Sequence, residues 1–377
     1  MHFLIDENLP AANTLFGACN GEQQQLSFYS GRSIGDAQLA AAEVLLVRSV
    51  TRIDDALLDR APNLRFVGTA TIGTDHVDTF ALAERNIGFA NAAGCNAIAV
   101  GEYVLSAALY VAERATIDWR GKRALVVGAG NTGMQVAQRL TALGMQVAFI
   151  DPPLQRAGVA LAYSDWSELG SFDLVSCHVP LTKVGDDNTW HLLDEAKIEA
   201  LMPGATLINA SRGGVVANQP LLKRMQGRGD LHVVLDVWEE EPKVNADLVN
   251  LVAIATPHIA GHSVEGKIRG SFRLYTALHR HFNWCCAPIE EQAVLPPALA
   301  DTQHIQPPLA QTDISRLVHG VYNIIEDDRE FRKHGLTVTG FDQLRKEYRL
   351  RRELSAQRIS GSPTALAQLQ QLGFRIT

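Results

Sequence analysis

Short apolar runs rich in valine, isoleucine, leucine and phenylalanine alternate with stretches of helical period along most of the chain. The runs at 3–5, 44–47, 65–68, 124–127, 147–150, 174–177, 206–209, 233–237 and 252–255 are continuous rather than alternating, the pattern of strands buried on both faces. Helical spacing of apolar positions falls between several of them, at 132–143, 194–201 and 220–226. Apolar strands joined through helices predict parallel sheets covered on both sides, an α/β fold of doubly wound type. Two longer helical patterns, 97–114 and 264–282, are placed to cross from one such unit to another and back. Beyond residue 287 the texture changes. Pro288, Pro296, Pro297, Pro307 and Pro308 punctuate a linker, a long amphipathic helix is predicted over 313–333, and a basic segment, RKEYRLRREL, covers 345–354. The predicted organisation is two doubly wound parallel-sheet domains, 1–95 with 259–287 and 96–258, followed by a small α+β domain over 288–377.

With 377 residues and 46% hydrophobic content, the chain can bury cores for two or three domains. A net charge of −7 without a long Lys/Arg block argues against nucleic acid as a partner. A small anionic substrate needs only two or three local cations and stays open. Cys19, Cys95, Cys177, Cys285 and Cys286 form an odd, irregular set, which reads as reduced thiols in a cytoplasmic protein. The start, MHFLIDENLP, lacks the basic segment and cleavage site of a signal peptide. The longest apolar stretch, 97–112, contains Gly101 and Glu102 and is too short and too polar to span a bilayer, so no membrane association is expected.

The segment RALVVGAGNTGMQVAQRL (123–140) reads strand, glycine turn, helix, and carries Gly128-Ala-Gly130-Asn131-Thr132-Gly133. In a G-x-G-x-x-G turn the first glycine permits the tight bend, the second lets a pyrophosphate approach, and the third lets helix and sheet pack closely. The helix N-terminus at Asn131 and Thr132 then offers amide donors to phosphates. The next strand ends at Asp151, where an acid bonds a ribose 2′-hydroxyl and repels a 2′-phosphate. That favours NAD over NADP and makes 96–258 a Rossmann-type nucleotide domain beside a flavodoxin-like partner.

Three motifs lie near successive strand ends of that domain: Asn209-Ala-Ser-Arg212-Gly-Gly214, DVWEEEP (236–242) and Thr256-Pro-His258-Ile-Ala-Gly261-His262. In an open parallel sheet, the carboxyl ends of the strands face one crevice. Oxidation of an alcohol by hydride transfer needs a base for the hydroxyl proton and a cation to polarise the substrate. Histidine suits the first task and arginine, which grips a carboxylate with two parallel bonds, suits the second. A neighbouring carboxylate would fix the histidine's orientation.

SRGG, DVWEEEP and TPHIAGH, with GAGNTG, closely resemble the motifs of the D-isomer-specific 2-hydroxyacid dehydrogenases. The resemblance implies Arg212 as the residue that binds and polarises substrate, His258 as acid/base, and Glu241, next to Pro242, as the carboxylate that supports it. Glu239 and Glu240 then read as solvated. The same resemblance places Asp236 on the nicotinamide side of the cofactor and Val179, Ala210 and Gly261 along its length.

Two N-terminal loops narrow the substrate. Val47-Arg48-Ser49-Val-Thr51 and the stretch from Arg65 through Thr71 to Asp78 follow strands with hydroxyls, small residues and backbone donors, which suits an anion carrying both carboxylate and phosphate. By spacing alone, Arg48 serves equally well as an anion ligand or as the partner of a surface acid. With GCNAIAVGEYV (94–104), these loops resemble most closely the family members that oxidise a four-carbon 2-hydroxyacid phosphorylated at C4, on the route to vitamin B6. That resemblance spans nearly the whole chain and implies a homodimer formed through the C-terminal domain. It makes Ser49 and Thr71 substrate contacts, Arg48 a phosphate ligand, and His262 the occupant of a position where a tyrosine is the expected substrate contact. The rival within the family is a dehydrogenase of the three-carbon 3-phosphoglycerate, which shares the RS-x-T loop. His76 and the lack of a recognisable serine-binding domain in 288–377 stand against it. A non-enzymatic NAD-sensing scaffold is the rival outside enzymes. His279, His281, Cys285 and Cys286 match no ligand spacing, so no metal is expected.

Overall fold

A computed structural model describes residues 1–19, 21–30 and 34–377. The chain folds as two compact units, Met1–Asn96 with Ser263–Pro297, and Ala97–His262 with Ala298–Thr377.

The first unit is built on a five-stranded parallel sheet. Its order is Gln25–Tyr29, His2–Asp6, Val44–Val47, Phe66–Thr69, Gly88–Asn91. That is the flavodoxin-like order, with the first strand inside and the chain reversing direction across the sheet at it. Alternate residues of each strand face opposite sides. Phe3, Ile5, Leu46 and Phe66 pack with Leu274, Tyr275 and Leu278 of the returning helix Val264–His281, while Leu4, Leu45, Val47 and Val67 pack with Leu39, Leu58 and Leu82. Gln25–Tyr29 and Gly88–Asn91 carry no strong apolar signal because both are edge strands with mostly half-buried or exposed residues.

The second unit holds a six-stranded parallel sheet ordered Ile254–Ala255, His232–Leu235, Thr206–Asn209, Leu174–Cys177, Arg123–Val127, Gln146–Ile150. Beyond the last strand a single bridge, Phe149 to Tyr163, stands where a further edge strand would lie. The chain therefore reverses direction between Arg123–Val127 and Leu174–Cys177, the place where an open α/β sheet leaves its ligand crevice. Helix Ala97–Ala115 is buried on nearly every side and packs along helix Asn131–Ala142.

Residues 298–377 share this second unit's core. Ile314, Leu317, Val318, Tyr322, Leu354, Leu369 and Phe374 are buried with Val100, Tyr103 and Leu140, and Phe331 and Phe341 with Trp238 and Leu248. The segment combines helices with a three-stranded parallel sheet, Thr302–Ile305, Arg358–Gly361 and Arg375–Ile376. The single helix expected over 313–333 is two, Gln311–Val321 and Ile324–His334. The break falls at Tyr322, whose buried hydroxyl donates to Asp327, and at Asn323, whose side chain accepts from the Ile325 amide at 3.2 Å and caps the second helix. The basic run 345–354 is not solvated throughout: Lys346, Glu347 and Arg349 are exposed, whereas Arg351 and Glu353 are buried. Among the described residues no helix is long and apolar enough to cross a membrane.

Burying those charges has a consequence for stability. Glu102, in the middle of helix Ala97–Ala115, is fully buried; one of its oxygens accepts from the Leu354 amide at 3.0 Å and lies 3.7 Å from the Arg139 guanidinium. Burial first, and then the negative charge of Glu353, push its carboxyl up to about 8. The folded state therefore keeps a proton that the unfolded chain has released, so the stabilisation is full below the ordinary carboxylate range and is lost as pH rises through about 8. The thermal midpoint is expected to fall as pH rises from the ordinary carboxylate range to about 8 and to level off above it, and Glu102→Gln, neutral throughout, to flatten that dependence. Scanning fluorimetry across this range reads the effect; parallel curves for the two proteins would refute it.

Candidate active site

The glycine turn shows why each of its three positions lacks a side chain. Gly128 has φ +93°, and a Cβ there would meet the His178 carbonyl oxygen at 2.6 Å. A Cβ on Gly133 would lie 1.8 Å from the Gly128 carbonyl oxygen, so helix and turn close on each other. At Gly130 a Cβ would have nothing within 4 Å. The turn is shut on two sides and open on the third, the shape that admits a pyrophosphate. The first intrahelical bond runs from the Met134 amide to the Gly130 carbonyl at 3.0 Å, which leaves the amides of Asn131, Thr132 and Gly133 ahead of it, toward the open side.

Asp151 ends the neighbouring strand. One oxygen accepts from the Ala129 amide inside the turn at 2.8 Å, and the other from Leu154 at 3.0 Å, capping the short helix that follows. It fixes the turn while remaining half-buried, with lone pairs left for sugar hydroxyls. Val179 and Ala210, just past strand ends of this sheet, and Gly261, in the loop after Ile254–Ala255, are likewise half-buried. His178, one residue before Val179, is not a reactive group: burial drives its imidazole down to about 3, and it bonds Ser176 at 2.7 Å.

The three motifs after the strands form one braced assembly. His258 Nδ1 lies 2.8 Å from Glu241, whose other oxygen accepts from the Trp238 amide at 2.8 Å. The second ring nitrogen, Nε2, makes no bond among the described residues. His258 has φ +59°, a left-handed conformation a non-glycine residue holds only where its surroundings enforce it. Asp236 supplies much of that enforcement. Its backbone oxygen accepts from the His258 amide at 2.7 Å, and its buried carboxylate accepts from the Thr256 hydroxyl and the Ile259 and Ala260 amides at 2.6–2.9 Å. Burial raises the pKa of that carboxyl, and these donors oppose the rise. Arg212 is held by its backbone, whose carbonyl accepts from Asn209 at 3.0 Å, and its guanidinium donates only to the Ser211 carbonyl. Among the described residues no carboxylate pairs with it. Next to it, a Cβ on Gly213 would sit 1.8 Å from the Trp238 carbonyl oxygen, so SRGG and DVWEEEP lie backbone to backbone.

The reading of Glu239 as solvated needs correction. It accepts from the Asn218 amide at 3.0 Å and bonds His191 Nε2 at 2.5 Å, with His191 stacked on Trp190 and its amide donating to the Gly214 carbonyl. The glutamate thus ties the arginine loop to the DVWEEEP turn. Only Glu240 faces water. A partner 48 residues upstream gave the sequence reading no local signal. His262 sits edge-on to Tyr348, ring centroids 5.5 Å apart.

In the first unit Arg48, Ser49 and Thr71 follow adjacent parallel strands. Arg48 pairs at 3.2 Å with Asp6, a buried acid rather than a surface one, and remains partly exposed. Ser49 is exposed, and Thr71 donates to the Gly73 carbonyl at 2.9 Å while touching Thr69, which also bonds His76. Lys267, in the first turns of helix Val264–His281, was not evident from sequence. Partial burial and then the positive field of Arg48 hold its amine below the ordinary value, so the two basic groups are close enough to feel one another. Of the residues weighed as metal ligands, His279 bonds the Cys286 carbonyl and His281 packs on Phe66 and Phe282. Among the described residues no three His, Cys, Asp or Glu side chains could hold a metal ion.

Residues 99–260 match the family model for the NAD-binding domain of D-isomer-specific 2-hydroxyacid dehydrogenases, and residues 294–373 match a domain of unknown function. The chain is 46% identical over 380 residues to the erythronate-4-phosphate dehydrogenase of Aeromonas hydrophila, covering 99% of each, and 43% identical to that of Tolumonas auensis over the full length of both. The chain belongs to the erythronate-4-phosphate dehydrogenase family. It is an NAD-dependent dehydrogenase of the D-2-hydroxyacid class. Among solved structures, the TT0316 protein of Thermus thermophilus is similar, with 26% identity, a TM-score of 0.62, and coverage of 75% of this chain and 97% of that one. An NAD-bound 3-phosphoglycerate dehydrogenase of Entamoeba histolytica, 17% identical with a TM-score of 0.62, covers 77% of this chain and 99% of its own and shares the fold.

Proposed function

We propose that this family member oxidises the C2 hydroxyl of 4-phospho-D-erythronate to (R)-3-hydroxy-2-oxo-4-phosphobutanoate, a step toward vitamin B6. The observation that carries the proposal is the His258–Glu241 pair, with an Arg212 that has no carboxylate partner among the described residues, in a chain alike over its whole length to relatives of that name. Glu241 holds His258 Nδ1, so Nε2 takes the proton from the C2 hydroxyl and returns it in the reverse direction. Arg212 grips the C1 carboxylate and polarises the C2 oxygen. NAD, when bound, accepts the hydride from C2. It would be held by the Gly128–Gly133 turn with Asn131 and Thr132, by Asp151 at the ribose, by Val179, Ala210 and Gly261 along its length, and by Asp236 supporting its nicotinamide side. Arg48 and Lys267 supply the cations for the phosphate, with Ser49 and Thr71 as hydroxyl contacts and His262 as a further substrate contact. We place the protein in the cytoplasm, in keeping with the free thiols of Cys95, Cys177 and Cys286, and assign homodimer formation to residues 288–377.

The test is NAD reduction with 4-phospho-D-erythronate and 3-phospho-D-glycerate side by side, with a 2-oxoacid added so that tightly held NADH does not mask turnover. Preference for the four-carbon acid by about tenfold or more, as expected where a charged hydrogen-bonded contact is lost, supports the proposal. Preference for the three-carbon acid moves the protein to the rival substrate, and NADH binding without turnover of either makes it a sensor.

A further inference from the structure

We propose that the C-terminal segment forms part of the mounting of the catalytic histidine, with Arg351 as a positioning residue that acts on His258 through the backbone of Ala260. The proposal rests on the reading of His258 as the acid/base. Asp236 secures the 256–262 loop through the Thr256 hydroxyl and the amides of Ile259 and Ala260. The Ala260 carbonyl is bound from the C-terminal segment. Arg351 donates to it from Nη1 at 3.0 Å, and from Nη2 to the Ala99 carbonyl at 2.5 Å. One guanidinium thus ties the loop to the start of the buried helix Ala97–Ala115. It is 3% exposed and lies 3.5 Å from the centroid of the Tyr322 ring, so its own plane is fixed.

Two further contacts from the same segment fall on the same loop. Asp328 accepts from the Ala255 amide at 2.8 Å, just before the loop begins. The Tyr348 ring meets His262 edge-on where it ends, and its hydroxyl donates to Asp327, which also accepts from Tyr322 and Arg349. Residues 255, 260 and 262 are therefore all braced from the C-terminal segment, and His258 lies between them in its left-handed conformation. Such a conformation persists only while its surroundings over-determine it. Slackening at Ala260 would be felt two residues away, at the imidazole whose second nitrogen must meet the substrate hydroxyl. Lysine can donate to one of the two carbonyls but lacks the rigid fork that spans both.

The test uses Arg351→Met and Arg351→Lys in the full-length protein. Expected for Arg351→Met is a fall in kcat on the order of 10–100-fold, the penalty of a misplaced catalytic group, with the NADH Kd and the KM for NAD within about twofold of the parent, as uniform binding is untouched. Hydrogen exchange should quicken in residues 255–262 and remain unchanged in the 123–150 region. Arg351→Lys should recover part of kcat. Folded variants with parental kcat per NADH-binding site and parental exchange in 255–262 would overturn the proposal, as would quickened exchange throughout the unit, which marks a merely structural role. If Arg351→Met does not fold, Arg351→Lys is decisive by the same two readouts. If the parent itself turns over no hydroxyacid, the functional reading fails, and the exchange data still judge the brace.

Discussion

His258→Ala is expected to lower turnover by about 10²–10⁴-fold, the usual loss when a positioned acid/base is removed, while NADH binds as before. The size follows from the geometry. Glu241 occupies Nδ1 at 2.8 Å, so the tautomer is set by a carboxylate that is itself fixed by the Trp238 amide, and Nε2 is left for substrate. Neither of the two imidazoles that flank the 179–190 segment is so placed: His178 is buried and held neutral against Ser176, and His191 is committed to Glu239. The cofactor turn lies on a different strand end and depends on backbone that does not touch the His258 side chain, which is why binding should survive. Glu241→Gln should retain a bond to Nδ1 but lose the carboxylate that faces the ring, and so fall between parent and alanine variant. Fluorescence titration with NADH and initial rates on the same preparations separate the two quantities. Unchanged turnover in His258→Ala would remove it from the mechanism.

The central strands and the cofactor turn were legible in sequence because their signals are local. A continuous apolar run such as 174–177 can satisfy its burial only inside a parallel sheet, and the glycines at 128 and 133 stand where a Cβ would collide with backbone. The same holds for Arg212, Glu241 and His258, each embedded in a compact motif. What was not legible depends on partners distant in sequence. Glu239 reads as one more acid in a run of three until His191 and Asn218 are found beside it. Lys267 is an ordinary helix lysine until Arg48 is near. RKEYRLRREL looks solvated because a run of charge usually is, yet Arg351 directs its charge at two carbonyls inside the protein and Glu353 lies buried near Glu102. Edge strands escaped for the complementary reason: Gln25–Tyr29 is paired on one side only, so its sequence carries little of the apolar pattern that marks a central strand.

Arg212→Met is expected to cost about 10²–10³-fold in kcat/KM, comparable to removing a donor aimed at developing charge, with a larger part of the loss in kcat than in KM. Two features of the site argue for that division. The guanidinium has no carboxylate partner among the described residues, so its charge is not engaged in holding the fold and should be available to substrate. Its backbone is also pinned, by Asn209 at 3.0 Å on the carbonyl and by the contact of Gly213 with Trp238, so little reorganisation is required when charge builds on the C2 oxygen. Arg212→Lys keeps a cation but loses the planar pair of donors, and a point charge on a flexible stem should recover only part of the rate. The measurement is a full kcat and KM analysis with 4-phospho-D-erythronate at saturating NAD. A variant whose KM rises while kcat is unchanged would show that Arg212 only binds the ground state. In that case polarisation of the C2 oxygen would have to come from another donor, and not from the Ile259 and Ala260 amides, which already donate to Asp236.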